Sequence, residues 1–187
     1  KTKPENKPRL TVFYSILLPH WLQNLTPHAA SAPQLVQNLF PASDKREDRF
    51  VLGNSMGSHG AFKWALNRPD FFAAAANLSG LSFIMDIFKK GVGTKDAEDK
   101  CGAVALNWGS LEELEGSMSD SKEWIDRAVA QGTKLPKLFA GMGTEDFSYD
   151  FSTEYLAYCK EKGVEIHYEE MAGGHDWNVW DAMIQKF

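Results

Sequence analysis

The chain has little of what marks several large protein classes. It carries two cysteines, Cys101 and Cys159, far apart and without CxxC spacing, which excludes a disulfide-built scaffold and the paired-thiol pattern of zinc or redox sites. Two free thiols in a reducing, cytoplasmic compartment are the simplest expectation, and a single disulfide stays compatible with the spacing. No apolar run approaches the roughly 20 residues of a membrane-spanning helix. Pro19 and His20 interrupt the stretch from Leu10 to Leu22, so no membrane partner is expected. Basic charge is not in excess either: the formal net charge is -5, which leaves no broad positive field for phosphates, and nucleic acid is not an expected partner. Internal repeats and low-complexity linkers are missing too.

What is present is the composition of a globular domain. Of 187 residues, 43% are hydrophobic and 24% charged, and a chain of this size buries roughly 70% of its unfolded surface. A single domain over residues 1–187 is expected. At the start, Lys1, Lys3, Lys7 and Arg9 precede the apolar stretch and Ala30-Ser31-Ala32 follows it, an imitation of a secretory leader. The punctuated apolar stretch and the lack of an initiating Met favour a basic tail followed by a strand.

Strand and helix then alternate. Leu35, Val36, Leu39 and Phe40 give an apolar helical face over 33–40, and Phe50-Val51-Leu52 is the centre of a strand over 49–53. A helix over 56–67 ends before Pro69, because proline disfavours helix in the residue preceding it. The apolar run 71–78 suits a buried strand. Helices are predicted over 121–130, 151–161 and 176–187, with strands over 137–141 and 164–170. Between them, a weakly periodic stretch at about 83–118 reads as a lid-like or substrate-binding insertion. This order predicts right-handed crossovers, a mainly parallel sheet and ligands at the carboxyl ends of the strands.

Gly53-Asn54-Ser55-Met56-Gly57 is a G-x-S-x-G pentapeptide at a predicted strand-to-helix junction. A bare match is commonly a chance glycine-rich turn; the junction is what gives it meaning. There a serine projects its hydroxyl from the helix start, and the amide of Met56 can donate to a developing oxyanion. A hydroxyl needs a base, and a histidine held in one tautomer supplies one. Of the five histidines only His175 follows the last predicted strand, in Gly173-Gly174-His175-Asp176-Trp177. His20, His28, His59 and His167 read as structural or solvated. The acid should leave the intervening strand, where Asp146 is preferred, with Glu145 and then Asp150 behind it. Trp64, Trp108, Trp124, Trp177 and Trp180 could line a pocket; Trp177 has the better claim to a substrate-binding wall, whereas Trp64 and Trp124 suit helix packing. The acidic pair Glu112-Glu113 and the run 96–100 read as solvated faces, not metal ligands.

These pieces resemble a known family. The helix ending Leu39-Phe40-Pro41, the basic Lys45-Arg46-Glu47, the pentapeptide with Gly60, Leu78-Ser79-Gly80, Gly143-Thr144-Glu145-Asp146-Phe147 and Gly173-Gly174-His175-Asp176-Trp177 are similar to the esterase D-like esterases, within them the tributyrin esterase-like group. The resemblance implies a three-layer α/β-hydrolase fold, a triad of Ser55, Asp146 and His175, and hydrolysis of short-chain acyl esters without metal or organic cofactor. Relatives of this fold also hydrolyse thioesters such as S-formylglutathione or transfer acyl groups to alcohols. Family members carry several strands and a His-Gly motif ahead of the serine, which supplies a second oxyanion amide. That motif is not found before Ser55, and residues 1–31 leave room for one strand, around Leu10 to Leu17. The expectation is therefore a fold with reduced N-terminal strands, truncated or altered relative to its relatives. One lost oxyanion donor costs about 10²- to 10³-fold in turnover, so a catalytically impaired binding protein is the rival from another class. An unpaired sheet edge would also favour a homo-oligomer.

Overall fold

The structure, a computed structural model, describes residues 11–14, 43, 45–81 and 111–187. The predicted helix over 33–40, His20, His28, Cys101 and most of the insertion at 83–118 lie outside them.

Five strands form one sheet in chain order: β1 (Thr11–Tyr14), β2 (Arg49–Asn54), β3 (Ala74–Leu78), β4 (Lys137–Gly143) and β5 (His167–Met171). Every neighbouring pair is parallel, with Phe13 opposite Val51, Val51 opposite Ala75, Ala75 opposite Leu138, and Ala140 opposite Tyr168. The helices are α1 (Met56–Asn67), the single turn α2 (Leu111–Leu114), α3 (Ser121–Ala130), α4 (Tyr149–Glu161) and α5 (Trp177–Ile184). Crossovers of one hand between consecutive neighbours return on one side of a sheet. Accordingly α1, α3 and α4 share a face, where Phe62, Trp124, Ile125, Tyr155 and Cys159 pack on Val51, Ala75 and Ala140. After β5 there is no further described strand, and α5 lies on the opposite face, with Val179, Trp180 and Met183 against Leu52, Ala76 and Phe139. β2, β3 and β4 thus each serve both cores through their two-residue alternation. Full burial of a side chain such as Phe62 contributes about 1.5–3 kcal/mol.

Local signals set the ends. Asp120 caps α3 by accepting from the Lys122 amide at 3.0 Å, and Gly163, with φ of 76°, follows α4. Two strand starts differ from expectation. The apolar run 71–78 pairs only from Ala73, whose amide donates to the Arg49 carbonyl at 2.8 Å. Phe71 instead lies under the Arg49 guanidinium and beside Trp64, so its apolar character reflects packing on α1. Similarly Val164 and Ile166 pack against the larger core, but pairing with β4 begins at His167. The last helix is shorter than 176–187 because Asp176 is its cap and it ends at Ile184.

Candidate active site

The carboxyl ends of β2, β4 and β5 converge. β2 runs into α1 through Ser55, which holds φ of 52° and ψ of -128°, a strained conformation for a residue with a side chain. A Cβ on Gly53 would run into the backbone of Gly57, so only glycine allows the strand and helix this close approach. The Ser55 amide donates to the Leu78 carbonyl of β3 at 2.8 Å. Met56 begins α1, where amides lack intrahelical acceptors.

The loop after β4 carries Asp146, and the loop after β5 carries His175. The two loops are tied together: the Thr144 amide donates to Met171 O and the Glu145 amide to Gly173 O, both at 2.9 Å. Asp176, capping α5 through the Asn178 and Val179 amides, fixes the residue before it at the helix entrance.

These elements bring three of the sequence-predicted residues into one hydrogen-bonded chain. Nε2 of His175 is 2.7 Å from Ser55 Oγ, and Nδ1 is 2.8 Å from Asp146 Oδ2. Asp146 is 4% exposed; burial pushes its carboxyl up, but donation from His175, the Ser148 amide and hydroxyl, and Ser79 outweighs this and holds it below the usual value. The Ser148 contacts to Oδ1 are 2.9 and 2.8 Å. An ionised carboxylate only accepts, so the imidazole Nδ1 carries the hydrogen and, in the neutral ring, Nε2 accepts from the Ser55 hydroxyl. The other acidic candidates, Glu145 and Asp150, are exposed, and the carboxylate bonded to His175 is that of Asp146.

Of the remaining histidines, His59 is buried against Trp124, and His167 is exposed and paired with Glu169 at 3.3 Å. Trp177 is 65% exposed and meets Trp180 edge-on. Two further rings flank His175: Trp180, which the sequence offered only as one of several tryptophans, and Phe147, which it offered only within the family motif. The Phe147 ring lies 4.7 Å from the imidazole and is 61% exposed, and the buried Trp180 ring stands at 85° to it, 5.1 Å away. Their placement directly after Asp146 and one helical turn past Trp177 was the available signal. Among the described residues no group of His, Cys, Asp and Glu could hold a metal ion, and no described helix is long and apolar enough to cross a membrane.

A strained serine between strand and helix, hydrogen-bonded to a late histidine that is itself bonded to a buried aspartate, is the arrangement of an α/β hydrolase. The model of the family described as "Putative esterase" matches residues 19–186. The chain belongs to that esterase family. This esterase-family chain is 28% identical over 151 residues to an acetyl esterase of Caldicellulosiruptor saccharolyticus, covering 81% of itself and 57% of that protein. Among solved structures it is similar to S-formylglutathione hydrolase (FrmB) of Staphylococcus aureus, at 28% identity and a TM-score of 0.74, covering 90% of this chain and 66% of the other. It is also similar to FphF, a fluorophosphonate-binding serine hydrolase of the same organism, at 30% identity and a TM-score of 0.71, covering 85% and 60%. The esterase-family chain therefore spans less than two thirds of the length of each of these three relatives, and its fold is that of the α/β hydrolases.

Proposed function

We propose that the chain is a serine carboxylesterase that hydrolyses short-chain acyl esters through an acyl-enzyme. The observation that carries this reading is the continuous hydrogen bonding from Ser55 through His175 to Asp146, at 2.7 and 2.8 Å. Ser55 Oγ attacks the ester carbonyl as its proton passes to His175 Nε2. The imidazolium is held by ionised Asp146, and the oxyanion by donors that include the Met56 amide. Collapse expels the alcohol, which takes the proton back from His175. Water, deprotonated by the same imidazole, then attacks the acyl-Ser55, and free acid leaves. Because the departing oxygen must meet Nε2, the leaving alcohol lies on the His175 side, where Phe147 and Trp177 offer exposed apolar surface. The acetyl esterase relative supports a short acyl group.

The likeness to an S-formylglutathione hydrolase supports a second reading, in which the same steps act on a thioester and release a thiol. Hydrolysis of p-nitrophenyl acetate and butyrate, compared with S-formylglutathione, separates the two. For the first reading, both nitrophenyl esters turn over, Ser55→Ala and His175→Ala each abolish it, and the thioester is the poorer substrate by kcat/KM. A folded chain inert towards esters and thioester alike would sink both.

A further inference from the structure

The turn after β3 touches every element that carries the relay. Asn77, Leu78 and Ser79 are each no more than 2% exposed. The Leu78 carbonyl accepts from the Ser55 amide at 2.8 Å. A Cβ on Gly80 would run into Ser55 O and the Ser58 side chain, so the turn lies flush against the serine elbow. The Asn77 side-chain carbonyl closes the turn by accepting from the Gly80 amide at 3.0 Å. Towards the acid, the Ser79 amide donates to the Gly141 carbonyl of β4 at 3.0 Å. Towards the base, Ser79 Oγ accepts from Trp180 Nε1 at 3.0 Å, and Trp180 is the ring that stands edge-on to His175.

Ser79 itself holds φ of 58°, a conformation that glycine takes without strain and serine does not. The backbone therefore gives no reason for a side chain here. The hydroxyl does: its oxygen receives the indole N–H of Trp180, and its influence is among those that hold the Asp146 carboxyl below the usual value. We propose that Ser79 is a positioning residue, anchored by Trp180, that fixes Asp146 and His175 relative to the Ser55 elbow. This rests on the reading of Ser55, His175 and Asp146 as the reacting relay. As the Ser55 proton reaches His175, the new imidazolium is stabilised only if Asp146 stays in line. Oδ1 of the carboxylate is held by the Ser148 amide and hydroxyl, and the strand that leads to it is tied to the Ser79 amide through the Gly141 carbonyl, so the carboxylate has little freedom to turn away.

The test is a double-mutant cycle on p-nitrophenyl acetate hydrolysis with Ser79→Gly, Trp180→Phe and their combination, beside Ser79→Ala and Ser55→Ala. Ser79→Gly removes the hydroxyl while relieving the backbone, and Trp180→Phe removes the indole N–H while keeping an aromatic ring. The net worth of a neutral hydrogen bond predicts a fall in kcat of about 3- to 10-fold for each single variant. KM should stay within about two-fold, because the hydroxyl touches no substrate. The double variant should lose little more than the worse single one, since both changes break one connection. In the Ser79 variants the acidic half-point of kcat/KM should move to higher pH, because an Asp146 charge without the lowering influence of Ser79 bears more strongly on its remaining partner. A merely structural residue would lower the melting temperature and leave the half-point where it was. Wild-type kcat in folded Ser79→Gly and Trp180→Phe, or losses that simply add, overturns the proposal alone. Turnover that survives Ser55→Ala overturns the relay reading and the proposal with it.

Discussion

The two faces of the sheet are unequal. On one, α1, α3 and α4 bury a large core that includes Phe62, Phe72, Trp124, Ile125 and Tyr155. On the other, among the described residues, α5 alone covers a small core of Leu52, Ala76, Leu78 and Phe139 through Val179, Trp180 and Met183. The larger core holds the strands and the serine elbow, whereas the smaller one seats the helix whose entrance carries His175. The difference teaches that stability and the alignment of the base rest on separate packing, so mutations on the two faces should fail in different ways.

The sharpest break comes at the site, which belongs to neither core. Ser55→Ala or His175→Ala should cut kcat by about 10⁴-fold or more, with a melting temperature close to wild type; steady-state kinetics and thermal unfolding check both halves. Next come the cores. Phe62→Ala in the large core should cost about 3–5 kcal/mol of stability, visible as a fall in denaturant midpoint, with kcat per folded molecule retained. On the small face, a Cβ at Gly141 would press within 2.8–3.0 Å of Met183. Gly141→Ala should therefore push α5 outward and lower kcat by about ten-fold, at a stability cost of about 1–3 kcal/mol. Equal effects of the two substitutions on unfolding and turnover would erase the distinction between faces.

How far this was legible in the sequence follows from which signals are local. The elbow was readable because G-x-S-x-G at Gly53 to Gly57 encodes a strand, a strained turn and a helix within a few residues, and β2 and α1 stand where that demands. Asp146 was preferred over Glu145 and Asp150 on loop position, and it is the one within reach of His175. Ser79 was legible only as part of Leu78-Ser79-Gly80 in the family resemblance, with no role attached, because its importance lies in contacts with Gly141 and Trp180, which are distant in sequence. The starts of β3 and β5 were misjudged for a related reason: apolar periodicity reports burial, and Phe71 and Ile166 are packed without being paired.

Smaller effects sharpen the picture at the rim. Phe147→Ala should raise KM for aryl or otherwise bulky alcohol esters by about 3- to 10-fold while leaving kcat for a methyl ester near wild type, as initial rates would report. The pH dependence should be the mildest. Asp146 has its carboxyl held below the ordinary value in the folded chain, so its contribution to stability is present above the unfolded pKa and is lost as pH falls through the lower, folded one. Asp146→Asn should flatten that acid-side loss in an unfolding series; an unchanged slope would mean that the carboxylate is not held as described.

The central claim is that Ser55, driven by His175, is the group that becomes acylated. Its most direct test is intact mass and peptide mapping after incubation with a fluorophosphonate probe. The account predicts one adduct per chain, on Ser55, absent from Ser55→Ala and slowed by orders of magnitude in His175→Ala. A folded wild-type chain that stays unlabelled, or an adduct that persists in Ser55→Ala, would contradict it.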